Sequence, residues 1–369
     1  MKKNNRVILL LLLLLLLFLT FALLTGCSNG PTSKVTPPEN TGNSKSQNNS
    51  SKETVVTAKI GDYYPFKEGI KYTYAGEGNE YATYSVFVDY LRGNRQQIRV
   101  NNGGTETVQV LENSDGELRR IYSNGEIYYR EDVTSKSNKN DVLLKEPLTK
   151  GNSWTLSDGS KRSITNLKVT IKTPLASYEC LEVTTVRKEN TNKNKEYYAP
   201  NIGLVKTIFT GEKDYEVSSS LSKMENNVPF VQSVKFYHPN GNDSFNYISE
   251  KTLSFNTNDI TKKEFENYFK EAPNKNEGKL ISANTKIKSL YLNKDNMVYV
   301  DFSKEFTQEM NAGSGYESQI LQCITNTLGD YYMVKKVYIT VEGNPYSSGH
   351  ILMKKGEAFV VDHKNTKEL

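Results

Sequence analysis

The longest apolar run of the chain lies at its N-terminus and predicts a segment that enters a membrane. Residues 7–24 are almost all apolar, and three basic residues, Lys2, Lys3 and Arg6, precede them. In a helix that rises about 1.5 Å per residue, such a run measures roughly 27 Å, which matches the hydrocarbon core of a bilayer. Length alone therefore fits both an export signal and a retained transmembrane helix.

The residues that end this run favour the export signal. Leu24, Thr25 and Gly26 stand before Cys27, so an aliphatic residue and two small residues precede a cysteine. This order resembles the lipobox of bacterial lipoproteins, in which a signal peptidase recognises the three residues before the cysteine. The resemblance implies that residues 1–26 are removed as a signal peptide and that the Cys27 thiol carries a diacylglyceryl group, with acyl chains such as palmitate. A retained helix and plain secretion are the alternatives.

Residues 27–60 show no apolar period before Val55 and predict a disordered tether. Ser, Asn, Thr, Pro and Lys dominate them, and such a composition cannot bury enough apolar surface to offset the entropy of ordering. Together with a lipidated Cys27, the tether predicts an extracytoplasmic protein that is lipid-anchored to the cell membrane.

Residues 61–222 show short apolar alternations separated by turn residues. One face carries, at period two, Ala82, Tyr84, Val86, Val88 and Tyr90, which is the pattern of a half-buried strand. Gly beside Asn or Asp recurs about every ten residues and marks turns. The pattern predicts an N-terminal antiparallel all-β domain, either a sandwich or a half-barrel. The stretch 211–227 shows no alternation and is predicted to separate this domain from the remainder.

Residues 228–362 follow a different pattern, in which strands alternate with helices. One helix is predicted after the capping box Thr261–Glu264, and a longer one after the capping box Ser314–Glu317. Gly329 is expected to end the longer helix. With antiparallel strands around them, the two helices predict a C-terminal α+β domain on a small sheet, so that the whole chain has a mixed fold.

Charge and cysteine content narrow the classes of function. Lys and Arg number 47 against 42 Asp and Glu, a net charge of +5, and 44 against 42 remain without residues 1–26. That balance is not the concentrated basic surface that nucleic-acid binding requires. Cys180 and Cys323 fall in different predicted domains, and we expect both to be buried, reduced thiols. A disulfide between them is the alternative.

The sequence contains no recognisable catalytic or metal-binding motif. His238, His350 and His363 share no local spacing with one another or with a Cys, and no zinc, EF-hand or dinucleotide motif can be written. In the run 347–350 a hydroxyl lies near an imidazole, but the sequence offers no acid partner for His350 and no G-x-S-x-G elbow. We therefore expect no catalytic residue, no metal and no cofactor, and predict that the protein is not an enzyme.

Three segments of the C-terminal part resemble a known family. They are residues 298–306 (VYVDFSKEF), 326–328 (NTL) and 334–343 (VKKVYITVEG). Together they are similar to the sporulation and spore germination domain of the GerMN type, over residues 231–361. The resemblance implies a non-enzymatic domain that makes protein–protein contacts, similar to the ring-building modules of envelope secretion assemblies, in a Gram-positive, spore-forming bacterium.

The β-rich part also resembles known proteins, although the resemblance carries no activity. Residues 63–69, 147–154 and 197–206 look like phrases in uncharacterised β-rich lipoproteins of clostridia and their relatives. Each phrase places a Gly beside aromatic residues, as bends between strands require.

These observations lead to one hypothesis and its alternatives. The leading hypothesis is a membrane-anchored, extracytoplasmic lipoprotein that acts as an interaction and assembly module of the cell envelope, in sporulation or spore germination. Its expected partners are the membrane, through diacylglyceryl-Cys27, an envelope or sporulation protein, and copies of itself, with no nucleic acid among them. The alternative is a lipid- or glycan-binding envelope protein that uses the β-rich domain. A wall hydrolase is the third option.

Overall fold

The computed structural model describes residues 58–189 and 192–369 of the chain. The predicted signal peptide, Cys27 and nearly all of the predicted tether 27–60 lie outside these residues. Within the described part, none of the helices combines the length and the apolar character needed to cross a membrane. Residues 56–369 form one compact unit, which contains all the elements described below.

Alternating apolar residues and short turns build a twelve-stranded antiparallel sheet in the N-terminal part of this unit. A one-turn helix, α1 (Ile60–Tyr63), precedes it. The strands are β1 (Ile70–Glu77), β2 (Tyr84–Arg92), β3 (Arg95–Asn101), β4 (Glu106–Ser114), β5 (Glu117–Gly125), β6 (Asp141–Lys145), β7 (Ser153–Thr155), β8 (Lys161–Lys172), β9 (Ser177–Val186), β10 (Lys193–Ala199), β11 (Gly203–Thr210) and β12 (Glu216–Asn226).

The order of these strands makes the sheet close on itself. β1 and β12 pair in the middle, and one meander extends from each of them, so that β6 and β7 are the two outer strands. Side chains join these outer strands. Trp154 Nε1 donates to the Val142 carbonyl oxygen at 2.9 Å, and Arg162 Nε donates to that of Leu143 at 2.8 Å. The sheet is therefore a nearly closed half-barrel, which confirms the predicted all-β fold and selects one of its two predicted forms.

The remaining elements form the C-terminal region, residues 230–369, on two small sheets. Helix α4 connects the parallel strands β16 and β17, and its apolar side packs into the core of the region. The elements are β13 (Phe230–Pro239), β14 (Asn246–Phe255), α2 (Thr261–Phe269), β15 (Ile287–Leu292), β16 (Val298–Phe302), α3 (Glu305–Gln308), α4 (Ser314–Tyr332), β17 (Lys336–Val341), β18 (Asn344–Pro345), β19 (Phe359–Val360) and β20 (Thr366–Glu368).

The two predicted helices on a small sheet are confirmed as α2 and α4, but the surrounding strands differ from the prediction. Strand β16 pairs in parallel with β17, and β14 pairs in parallel with β20, whereas antiparallel pairing was expected. The stretch 211–227, predicted as a separator without alternation, contains β12, which pairs with both β1 and β11. The sequence pattern did not predict this strand because its residues Ser218–Ser220 are small and polar, and serine contributes little to an apolar pattern.

The helix ends also differ from the predicted capping boxes. The residue before α4 is Gly313, without a side-chain cap, and Glu317 turns away from the helix end towards Tyr346 and His350. The Thr261 hydroxyl donates to the Arg130 carbonyl oxygen at 2.9 Å instead of capping α2. Thr261 and Glu317 thus bond more distant parts of the chain.

Gly329 lies inside α4 and does not end it. The helix continues to Tyr332, and Met333 adopts the left-handed conformation at its end, with φ of 58°. A Cβ on Gly329 would collide with Val361 and lie 3.0 Å from the Val334 carbonyl oxygen. The glycine is therefore needed for the close approach of the chain that follows the helix.

A buried group of charges joins the half-barrel to the C-terminal region. Asp89 is the extra residue of a bulge in β2, because Val88 lies opposite Ile98 and Tyr90 opposite Gln97. The bulge leaves the Asp89 carbonyl free of the strand ladder. This oxygen accepts hydrogen bonds from Arg130 Nη2 at 2.8 Å and from the Asn258 backbone N–H at 3.0 Å.

Arg130 lies in the loop between β5 and β6 and has no solvent-exposed surface. Its guanidinium also bonds the Tyr90 hydroxyl at 2.8 Å and the Asn256 carbonyl at 3.1 Å, and it stacks on Phe255 at 4.9 Å. Its backbone N–H donates to the Tyr331 hydroxyl at 2.9 Å. Arg130 thus contacts the C-terminal region through its side chain, at Phe255 and Asn256, and through its backbone, at Tyr331.

Replacing Arg130 tests the importance of this junction. The substitution Arg130→Met keeps most of the apolar volume but removes the bonds to the backbone carbonyls of Asp89, Asn256 and Asp259. It also removes the buried charge that lies 3.7 Å from the Asp89 carboxylate. Because removing one partner of a buried ion pair costs about 3–5 kcal/mol, we expect a loss of that size in the free energy of unfolding. Urea unfolding of the unit 56–369 measures it.

Lys288→Met is the matched control, since Lys288 pairs with Glu342 at the surface, where both side chains are nearly half exposed. Its cost should stay within about 1 kcal/mol. Similar costs for the two variants would contradict the importance of the buried junction.

Candidate functional site

The half-barrel contains the main candidate site, a partly open cavity of about 270 Å³. Strands β1 to β6, β10 and β11 contribute to its wall, together with the segment that follows α1 and the turn before β11. Its lining combines aliphatic side chains with five tyrosines and five other polar side chains. The lining side chains include Tyr64, Lys67, Tyr72, Tyr74, Tyr84, Val86, Val88, Gln96, Ile98, Val100, Gln109, Leu111, Arg120, Glu196 and Tyr198.

Strand alternation places these side chains on one face. On β2 the inward residues are Tyr84, Val86 and Val88, which belong to the alternating face seen in the sequence. The bulge at Asp89 ends this register. Tyr90, which the alternation placed on the same face, instead contacts Arg130 at the junction. The predicted strand face is therefore the cavity wall up to the bulge.

A buried ion pair lies at one side of the cavity. Arg162 contacts Glu196 through both terminal nitrogens, and the Tyr198 hydroxyl also donates to Glu196. Burial acts to raise the pKa of Glu196, but the charge and hydrogen bonds of Arg162 and the Tyr198 bond outweigh it, so the pKa is lowered. The carboxylate therefore stays ionised and paired at neutral pH.

The polar groups of the wall divide into bonded and unbonded ones. The hydroxyls of Tyr74 and Tyr72 donate to the backbone carbonyls of Leu204 at 2.8 Å and Ile202 at 3.2 Å. Gln96 is 4 % exposed, and its Oε1 has no hydrogen-bond partner among the described residues.

The Tyr84 hydroxyl likewise makes no hydrogen bond within the described part of the chain, and burial raises its pKa. Burial also raises the pKa of Tyr72, to about 12. The wall therefore offers uncharged polar groups that have unused bonding capacity.

Sequence reasoning did not identify this site, although one signal was present. Gln96, Ile98 and Val100 alternate on β3 and all face the cavity. A glutamine in an otherwise apolar inward register is unusual. The alternation of residues 82–90 was noticed, but the closure that turns a strand face into a cavity depends on contacts between β6 and β7, which no local pattern contains.

A second cluster surrounds Glu317, which is 2 % exposed. Tyr346 donates to its Oε1 at 2.8 Å, and His350 Nδ1 lies 2.7 Å from its Oε2. Burial acts to raise the pKa of Glu317. The bonds from Ser348, His350 and Tyr346 lower it by more, so the net pKa is lowered. The sequence offered no acid partner for His350, and the structure corrects this by placing Glu317 beside it.

This cluster is not arranged for nucleophilic catalysis. The Ser348 oxygen accepts the backbone N–H groups of His350 at 3.1 Å and Ile351 at 3.0 Å, which is the local bonding typical of a turn serine. The carboxylate ties the loop 346–350 to the first turns of α4. We interpret the cluster as a structural link.

The remaining candidate residues lie apart from one another. His238 is 2 % exposed and bonds the Ser249 hydroxyl, while His363 lies 3.1 Å from Asp330. Residues 58–189 and 192–369 contain no group of three His, Cys, Asp or Glu side chains that could hold a metal ion.

Cys180 and Cys323 are free and buried, as predicted. Burial raises the pKa of both thiols, that of Cys180 to about 12. Each thiol therefore stays protonated at neutral pH.

Comparison with known families identifies part of the C-terminal region. Residues 235–347 match the Germane family, described as "Sporulation and spore germination", which confirms the GerMN resemblance over that range. No curated protein matches the chain. Solved structures give partial similarity. The tandem GerMN domains of the sporulation protein GerM from Bacillus subtilis are 22 % identical over 32 % of this chain and 41 % of that one, with a TM-score of 0.26.

Two further structures cover larger shares of their own chains. A protein of Bacteroides fragilis with a YmcC-like fold is 17 % identical over 44 % of this chain and 99 % of its own, with a TM-score of 0.27. A candidate lipoprotein of Clostridium perfringens is 16 % identical over 36 % of this chain and 88 % of its own, with a TM-score of 0.24. The chain spans about two-fifths of the length of the tandem GerM structure.

Tyrosine-to-phenylalanine substitutions test the division between bonded and unbonded hydroxyls. Tyr74→Phe removes a bond to a buried carbonyl and should lower the free energy of unfolding by about 1 kcal/mol. Tyr84→Phe removes a hydroxyl without a bond to any described residue, and should change it by less than about 0.5 kcal/mol. The rings of Tyr74 and Tyr84 stack at 4.5 Å, so each variant is the matched control of the other in urea unfolding. An equal loss in both would contradict this assignment.

Proposed function

We propose that the protein is an extracytoplasmic lipoprotein that is anchored through Cys27 and acts as a non-catalytic assembly module of the cell envelope, in sporulation or spore germination. The observation that carries this proposal is the Germane match over residues 235–347. The motif Leu24-Thr25-Gly26-Cys27 supports the anchor. The expected partners are an envelope or sporulation protein or a second copy of the chain.

A groove in the C-terminal region offers positions at which to test protein contact. It measures about 450 Å³ and is lined by residues of the end of α4, of β19 and of the chain around them. Met333 is 64 % and Val360 is 55 % exposed. Exposed apolar side chains beside one another are typical of surfaces that contact other molecules.

A second candidate function is ligand binding by the half-barrel, as an envelope protein that holds a lipid or a glycan. The specific observation that favours it is the 270 Å³ cavity with the unbonded, buried Oε1 of Gln96 in its wall. Native mass spectrometry of the unit 56–369 purified from cells tests it, because a bound lipid or glycan adds a defined mass. The two candidate functions use different surfaces and do not exclude each other.

The anchor is tested by the substitution Cys27→Ala. We expect the wild-type protein to begin at Cys27 and to carry acyl chains, because the cysteine thiol is the nucleophile for the diacylglyceryl group. The variant should either retain Met1 or be released to the medium. Mass analysis of the mature N-terminus measures both. A wild-type protein that keeps Met1 or lacks acyl groups would overturn the anchor, as would a variant that is fully processed and retained at the membrane.

Protein contact is tested by cross-linking the full chain in cells. The double variant Met333→Asn and Val360→Thr makes the groove polar while suiting the local backbone, because Asn tolerates the left-handed conformation and Thr is β-branched like Val. We expect a cross-linked species of defined mass, reduced at least fivefold in the double variant because the apolar contact area is lost.

Val186→Thr on β9 of the half-barrel is the matched control, since Val186 is also exposed, and it should leave the cross-linked species unchanged. A strictly monomeric chain without a cross-linked partner would overturn the assembly role. A cross-linked species of twice the chain mass would identify the partner as a second copy.

A further inference from the structure

We propose that the half-barrel cavity binds an uncharged, single-chain amphiphile and that Gln96 bonds its hydroxyl or amide head group. This inference rests on the second candidate function above and specifies its ligand class and its recognition residue. Size, wall composition, charge and an unsatisfied buried group each contribute to the argument.

The volume of the cavity suits a small molecule. At about 30 Å³ for each heavy atom, 270 Å³ accommodates at least roughly nine heavy atoms. That is enough for a chain of about eight carbons with one polar atom.

Beside its tyrosines and other polar side chains, the wall has an aliphatic part that suits an aliphatic chain. Side chains of valine, isoleucine and leucine line much of the cavity, from β1 to β4 and from the start of β11. A sugar ring carries a hydroxyl on most of its carbons, and each hydroxyl buried without a partner costs free energy. An aliphatic chain instead gains free energy from burial against such a wall.

The charges around the cavity are paired with one exception. Arg162 pairs with Glu196, and Arg120 bonds Asp141 at 2.8 Å. Lys67, at the segment after α1, donates its Nζ to the Asn201 carbonyl oxygen and has no ion pair among the described residues. A head group bonded to the neutral amide of Gln96 gains no charge pairing from it, and burying a charge without a partner is costly. The proposal therefore places an uncharged head group at Gln96, and octanoate tests whether Lys67 binds an anionic head group instead.

Gln96 supplies the position of the head group. Its Oε1 is buried and has no partner among the described residues, and the side chain lines the cavity. Buried polar groups are nearly always hydrogen-bonded, and one that is not calls for an explanation. A ligand hydroxyl or amide would donate to this oxygen while its chain fills the aliphatic part of the cavity. The amide of Gln96 can also donate in return, which suits a head group that both donates and accepts.

Calorimetric titration of the unit 56–369 with matched probes tests the proposal. The probes are 1-octanol, octanoate and octylammonium, which share an eight-carbon chain and carry a neutral, an anionic and a cationic head group, and a disaccharide of N-acetylglucosamine as the glycan probe. We expect 1-octanol to bind at least tenfold more tightly than the two charged probes and the disaccharide not to bind. The unit is suited to this experiment because it contains all the described cores and needs no detergent.

Gln96→Met is the decisive variant because it keeps the shape of the side chain and removes its polar atoms. The affinity for 1-octanol should fall about tenfold, the effect of one hydrogen bond to a buried group. Gln308→Met makes the same chemical change at an exposed position of α3, and it should leave the affinity unchanged. Val86→Phe should fill the cavity and abolish binding. Circular dichroism shows whether each variant is folded. If Val86→Phe does not fold, the Gln96→Met result alone tests the proposal.

Several results would overturn the proposal. They are no heat with 1-octanol, tighter binding of a charged probe, binding of the disaccharide in its place, or equal affinity in the Gln96→Met variant and the wild type. Native mass spectrometry that finds another bound molecule would leave the second candidate function standing while it defeats this inference. The cross-linking experiment on Met333 and Val360 is independent of both.

Discussion

The bulge at Asp89 is the feature on which the arrangement of the described chain depends. One extra residue in β2 releases a backbone carbonyl from the sheet and places a carboxylate where two arginines can reach it. Arg99 lies 3.1 Å from the Asp89 carboxylate, and Arg130 bonds the released carbonyl at 2.8 Å. An ordinary strand residue would use that carbonyl in the ladder with β3. The C-terminal region would then lose the bond from the Asn258 backbone N–H to this carbonyl.

The same cluster explains why the two regions form one unit. Asp89, Arg99 and Arg130 are all nearly or completely buried, and burying charges is favourable only when the geometry keeps them paired. Turning the C-terminal region away from the half-barrel would expose Phe255 and leave the charge of Arg130 without its carbonyl partners in that region. A partner that binds the C-terminal region therefore meets a surface held at a fixed position relative to the half-barrel, rather than a module on a flexible hinge.

Much of the fold follows from local patterns, whereas the features specific to this chain do not. Alternation of apolar residues identified the strands around Val86, because this pattern reflects burial of one face. The capping boxes failed because Thr261 and Glu317 find stronger partners in segments far along the chain, Arg130 and His350. A local motif indicates which hydrogen bonds a side chain can make nearby, whereas tertiary contacts determine which hydrogen bonds it makes in the folded protein.

One residue in the wall of the cavity departs from the rules that govern a packed core. In a well-packed core, the inward positions of a strand are apolar and every buried polar group is bonded. Strand β3 follows the first rule at Ile98 and Val100 and violates both at Gln96. A methionine or leucine there would fill space without an unsatisfied oxygen, so stability alone does not account for the glutamine. Local violations of this kind are expected at functional sites. This violation lies at a buried position in the wall of the half-barrel cavity and not on the outer surface, so a ligand in the cavity accounts for it better than contact with a protein partner does.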